Sequence, residues 1–192
     1  MNYDLFYKSI NTTNTEDFIK SLNYKDIQNE DNYTKSERAD FTVASHYTSD
    51  INQINKSYME AKNKSVFRRE EWICKLLFGK TFNSLGKIVD YQVPLKSEKT
   101  DDGKGKIDLL SFNSKTQTAY IIEVKIDTST ESPLKAFLEV NTYFHQLPDY
   151  FLEKSKALGA TKLRKAVLIC YDHETADRKG YIVNKLLSGA YD

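Results

Sequence analysis

Asp108, Glu123 and Lys125 are the residues of this chain whose types and spacing could do chemistry. Fourteen residues separate the two carboxylates, and the midpoint falls in the polar stretch Ser114 to Gln117, which reads as a turn. A hairpin folded symmetrically about that turn sets Asp108 opposite Glu123, with Cβ atoms roughly 4.5–5.5 Å apart. Strand alternation places Lys125 on the same face and sends Ile107, Leu109, Ile122 and Val124 to the other. Two carboxylates so close repel by about 4 kcal/mol at about 4 Å and an effective dielectric of about 20, so a cation or a shared proton must intervene. Oxygen ligands without His or Cys select Mg²⁺ or Mn²⁺, ions that keep waters able to become nucleophiles. A lysine alongside can orient such a water or stabilise charge growing on a phosphoryl group. These are the parts that phosphodiester hydrolysis requires. The competing interpretation is an exposed salt-bridge cluster. It is disfavoured because the runs IDLL and YIIEV read as strands buried on both faces, where charge is rare unless paired or metal-bound.

The elements around the trio give the fold class. Apolar residues on helical spacing predict a helix from about Val66 to Phe78, stopped by Gly79. A strand is expected at about Lys87 to Lys96, a polar loop at Ser97 to Lys106, and the hairpin strands at Ile107 to Phe112 and Ala119 to Ile126. Ser132 and Pro133 supply an N-cap and first residue for a helix to about Leu147, limited by Pro148. The last strand falls in Lys162 to Tyr171, and a short helix is expected in the tail through Leu187. The order α-β-β-β-α-β predicts an α/β layer, a mixed central β-sheet flanked by helices. Residues 63–192 form this core. Residues 1–62 read as an accessory, helical and irregular extension, with helical signals at Thr13 to Leu22 and about Asp50 to Ala61 and irregular chain over Asn23 to Ser45.

Gly105, Lys106, Ile107 and Asp108, then a hairpin, then Glu123, Val124 and Lys125, all set between two helices, resemble the PD-(D/E)xK nuclease superfamily, the restriction-endonuclease-like fold. The resemblance covers about Ser65 to Tyr171, with Ile107 standing where the motif has proline. It implies a metal-dependent nuclease in which Asp108 and Glu123 bind Mg²⁺ or Mn²⁺ and Lys125 serves catalysis. The Val124 carbonyl would be a further metal ligand.

Many members of that superfamily add a glutamate from the helix before the first core strand, and Glu70 and Glu71 are the candidates. The helical wheel places Glu70 inside the apolar stripe of Val66, Ile73, Cys74 and Leu77, with Glu71 towards its edge. Glu70 is therefore the expected supporting ligand or base, and pairing with a buried base or backbone group is its bland alternative. In the second helix Glu139, Tyr143 and Gln146 make one polar stripe that could border the site, opposite Leu134, Phe137 and Phe144. Lys104 and Lys106 flank the trio and could touch phosphates.

Composition sets outer bounds. The 192 residues suffice for one proper core, and 40% hydrophobic with 29% charged residues is a globular balance. Lys and Arg total 28 against 27 Asp and Glu, so contact with nucleic acid would need a local basic patch. Cys74 and Cys170 sit among apolar neighbours and read as buried thiols. The opening MNYDLFYKSINTTNTED has neither a basic start nor an apolar run, and no stretch of about 18 apolar residues occurs, so a cytoplasmic protein without membrane contact is expected. The leading function is DNA phosphodiester hydrolysis. A non-catalytic nucleic-acid-binding or protein-interaction module on the same fold is the competing class. An RNA-directed nuclease is a third reading, since nothing in the sequence reports on a 2′-OH. Double-strand cutting would favour a homodimer, because one site cuts one strand.

Overall fold

The computed structural model of the chain describes residues 7–8, 23–37, 56, 60, 69–95, 105–126 and 131–170. Its elements are α1 (Tyr24–Gln28), a 3₁₀ turn (Glu30–Asn32), α2 (Arg69–Leu77), β1 (Thr81–Phe82), β2 (Gly86–Pro94), β3 (Lys106–Asn113), β4 (Thr118–Ile126), α3 (Pro133–Gln146), α4 (Tyr150–Lys156) and β5 (Lys162–Cys170). The strands form one sheet in the order β1-β2-β3-β4-β5, antiparallel except for the parallel pair β4–β5. The protein is thus α/β with a five-stranded mixed sheet flanked by helices.

Local chemistry explains the element ends. Gly79 follows α2 with φ +76°, a left-handed stop that suits glycine. Asn113 folds the hairpin turn, its Oδ1 accepting from the Lys115 and Thr116 backbone N–H groups. Ser132 caps α3 by accepting from the Lys135 N–H, and Pro133 opens that helix. Neighbouring residues of β4 then face opposite cores. Ile121 packs with Val140 and Tyr143 of α3, and Ile122 packs with Cys74 of α2. Both are fully buried, each worth about 1.5–3 kcal/mol against exposure, which makes β4 the interior strand its apolar run announces.

Three features differ from the sequence expectations. The stretch read as irregular from Asn23 holds α1 and the 3₁₀ turn, because Asn23 and Asn29 cap them with their side chains. It also packs on α3, where Asn141 donates to the Ile27 carbonyl at 3.1 Å and the Tyr33 hydroxyl at 3.2 Å. Helix α4 and the two-residue β1 were not anticipated. Phe151 anchors α4 in the α3-side core, fully buried. Cys74 is buried as expected and Cys170 is half-buried, with no disulfide between them. The Thr13 to Leu22 signal, the Ser97 to Lys104 part of the polar loop and the tail helix lie outside the described residues, whereas Lys56 and Glu60 of the Asp50 to Ala61 signal are helical. Among the described residues no helix is long and apolar enough to cross a membrane.

Candidate active site at the open end of the hairpin

The β3–β4 ladder runs from Asn113–Thr118 to Leu109–Ile122 and ends one step short of Asp108 and Glu123. There the side chain of Asp108 replaces the ladder. Its Oδ2 accepts from the Val124 backbone N–H at 2.9 Å, and its Oδ1 accepts from Gln92 Nε2 at 3.0 Å. Gln92 has φ +53°, a left-handed conformation that costs a non-glycine residue about 1–2 kcal/mol. Its effect is to turn the pleat over. Tyr91 and Val93 belong to opposite cores although they are two residues apart, and so do their partners Leu109 and Ile107. This corrects the expected alternation: Leu109, Ile122 and Val124 share the α2 face, but Ile107 packs on the α3 face.

Glu123 and Lys125 point towards α3, as the alternation along β4 requires. Lys125 Nζ contacts Glu123 Oε1 at 2.7 Å, Glu131 Oε2 at 2.8 Å and Glu139 Oε2 at 3.1 Å. Glu131 also pairs with Lys135, one turn into α3. The other oxygen of Glu139 accepts from the Tyr143 hydroxyl at 2.9 Å, and the Tyr7 hydroxyl lies 3.5 Å from that of Tyr143. Gly105 lies against this tyrosine. A Cβ there would overlap the Tyr143 hydroxyl and ring, so the glycine of the motif is a packing requirement.

The remaining candidates divide. Glu70 is half-buried and its carboxylate accepts from the Ile126 backbone N–H, within the field of Lys125, Glu131 and Glu139. The backbone partner is the bland alternative named for Glu70, and its position near Lys125 is what the wheel's choice over Glu71 expects. Glu71 instead faces Lys106 at 3.9 Å. Lys106 is exposed and also donates to Gln92 Oε1 at 3.4 Å, next to Asp108's partner. Lys104 lies outside the described residues. Gln146 is fully buried a turn beyond Tyr143, and its backbone carbonyl accepts from Ser36, so it belongs to the packing of residues 23–37 on α3. His145 stacks on Tyr33 and belongs to the same packing.

Charge is out of balance at this end of the sheet. Burial pushes the Asp108 carboxyl up to about 7, against the opposing pull of the Val124 N–H and the Lys125 charge. Burial also raises Glu123 well above the usual range, helped by the charges of Asp108 and Glu139. Burial alone would lower Lys125, but Glu123 and Glu139 outweigh it and hold the ammonium above its ordinary value. Burial likewise raises Glu70, and it raises the Tyr143 hydroxyl together with the charge of Glu139. Five carboxylates (Asp108, Glu123, Glu139, Glu131, Glu70) thus gather about two ammonium groups, Lys125 and Lys135. Among the described residues no three His, Cys, Asp or Glu side chains converge as ready-made metal ligands. The donor set still fits a hard divalent cation, because Asp108 and Glu123 are oxygen ligands whose charged forms burial disfavours until a cation answers them.

No family model, curated protein or solved structure matches this chain. Sequence reasoning missed Gln92, Glu131 and Tyr7. Gln92 carries a faint signal, a long polar residue inside the strand run from Gly86 to Pro94. Glu131 stands immediately before Ser132, the cap of α3, at the end of the connection from β4. Tyr7 has no local signal, since it reaches the site through the tertiary fold.

Proposed function

We propose that this chain is a metal-dependent nuclease that hydrolyses phosphodiester bonds in DNA, built on a restriction-endonuclease-like core. One observation carries the reading: Asp108 and Glu123 lie together just past the last pair of the β3–β4 ladder, both raised by burial and Glu123 raised further by the Asp108 charge, with Lys125 2.7 Å from Glu123. The element order from α2 through β5 supports it. Asp108, Glu123 and the Val124 carbonyl would hold Mg²⁺ or Mn²⁺, which when bound supplies positive charge at the phosphate and an activated water. Asp108 is oriented by Gln92 and by the Val124 N–H, so its carboxylate is positioned before any ligand arrives. Lys125 offers an ammonium to the charge that grows on the phosphoryl oxygens. Glu139 and Tyr143 hold that ammonium against the sheet, and Glu70 approaches from the α2 side.

One observation favours the competing reading of a non-catalytic module: all three donors of Lys125 are spent on carboxylates, as in a structural ion cluster. Incubation with plasmid, linear and single-stranded DNA and with RNA, in Mg²⁺ or Mn²⁺, separates the two. The nuclease reading expects DNA cleavage by the wild type, none by Asp108→Ala, and a rate lowered about 10²–10³-fold in Lys125→Ala. Cleavage of nothing, or equal cleavage by all three, overturns it, and cleavage of RNA alone moves the substrate.

A further inference from the structure

The carboxylates on Lys125 are not equivalent. Side-chain exposure is 5% for Glu123 and 15% for Glu139, but 32% for Glu131, which lies on the solvent side of the cluster. Glu131 is also shared. One of its oxygens meets Lys125 at 2.8 Å and the other meets Lys135, so its carboxylate spans two ammonium groups as a bound anion would. Its backbone belongs to neither strand nor helix, since β4 ends at Ile126 and α3 begins at Pro133. Glu131 can therefore leave without unpairing a strand or unwinding a helix, while Glu123 and Glu139 keep their hold on Lys125.

We infer that the notch between Lys125 and Lys135 is a phosphate-binding subsite, and that Glu131 is its intramolecular occupant, displaced when a backbone phosphate of nucleic acid enters. The identity of that ligand rests on the nuclease reading, whereas the anion subsite does not. Two phosphate oxygens replace two carboxylate oxygens, so the ammonium groups keep their anionic partners and the released carboxylate moves into water. The exchange also resolves the difficulty over Lys125, whose third donor becomes available to substrate at the moment Glu131 departs. It further places the substrate backbone across the first turn of α3, on the solvent side of Glu139.

The test uses the full chain in metal-free buffer, with inorganic phosphate titrated by calorimetry and a labelled single-stranded oligonucleotide followed by anisotropy. Glu131→Gln keeps the shape and removes the charge. It should tighten both ligands about tenfold, the gain expected if the carboxylate holds the notch about nine-tenths of the time. Glu131→Asp keeps the charge but shortens the reach, and should tighten them by a smaller factor. Lys135→Ala placed in the Glu131→Gln chain should reverse the gain. Unchanged or weaker binding of both ligands by Glu131→Gln and Glu131→Asp overturns the inference. Tightening for phosphate alone keeps the subsite and overturns its assignment to a nucleic-acid backbone. A wild type that cleaves no nucleic acid, beside a tightened Glu131→Gln, would sink the nuclease reading and leave the subsite standing. Cleavage with unchanged affinities would do the reverse.

Discussion

Lys125 and Lys165 lie under the same helix, on neighbouring parallel strands, and their surroundings drive them in opposite directions. Lys125 is ringed by Glu123, Glu131 and Glu139, which keep its ammonium charged in spite of burial. Lys165 donates to Asn141 Oδ1 at 2.7 Å and Gln28 Oε1 at 3.4 Å and lies 4.9 Å from the centre of the Phe144 ring. Burial lowers it to about 8, and its neutral amide partners satisfy its donors without answering its charge. The comparison separates two uses of a buried lysine. Lys165 ties α1, α3 and β5 together through neutral partners. Lys125 stands among three carboxylates, Glu123, Glu131 and Glu139, and the proposed cation would sit at that end of the sheet.

Replacing each lysine should break the symmetry most strongly. Lys125→Ala should lower the single-turnover cleavage rate by about 10²–10³-fold, the usual loss when a donor to developing charge is removed. It should also cost about 3 kcal/mol or more in chemical denaturation, because buried carboxylates lose their counter-ion. Lys165→Met should leave cleavage unchanged and shift stability by no more than about 1 kcal/mol, since the relief of burying a charge offsets the lost hydrogen bonds. Equal effects from the two substitutions would erase the distinction.

The next largest effect is the dependence of stability on pH, and the two regions should tilt in opposite senses. Asp108 titrates at about 7 in the fold against an ordinary 3.8, so the folded chain binds its proton more tightly than the unfolded chain. Its contribution is complete below about 3.8 and is lost as pH rises through about 7. Lys165 titrates at about 8 against an ordinary 10.5, so its contribution is present above about 10.5 and is lost as pH falls through about 8. His145, lowered to about 4 by burial and by the Lys165 charge, tilts the same acidic window in the sense opposite to Asp108. Difference melts isolate each group. Wild type minus Asp108→Asn should fall between about pH 4 and 7, and wild type minus Lys165→Met should rise between about pH 8 and 10.5. Added Mn²⁺ should restore the first difference and leave the second alone.

The smallest predicted effect sharpens the contrast within α3. Gly105→Ala should push the Tyr143 ring away from Glu139, lowering the cleavage rate about tenfold for an overpacking cost of about 1–2 kcal/mol. The alkaline tilt from Lys165 should survive it. A variant that cleaves normally would show that Tyr143 is packing alone.

What was legible in the sequence follows the range of the interactions involved. The hairpin register was read correctly from Asn113–Thr118 to Leu109–Ile122, because turn residues and strand period are local signals. The preference for Glu70 over Glu71 was legible too, since the apolar stripe of one helix decides it. Ile107 changed faces because of one left-handed residue on the adjacent strand, Gln92, and alternation along β3 holds no trace of it. Tyr7 meets Tyr143 across 136 positions, and Lys165 meets Gln28 across 137. Long-range meetings of this kind left no pattern in the chain. Gln146 shows the converse error, where a correct helical stripe extended one turn past the site into the packing of residues 23–37.

The most direct test of the central claim is calorimetric titration of Mn²⁺ into the wild type and Asp108→Asn near pH 7, repeated in buffers of different ionisation heat. Raised carboxyls must release protons when a cation binds between them. The expected result is one ion per chain, taken up with proton release by the wild type and lost or severely weakened in Asp108→Asn. Equal binding by both proteins, or no binding by either, would contradict the account.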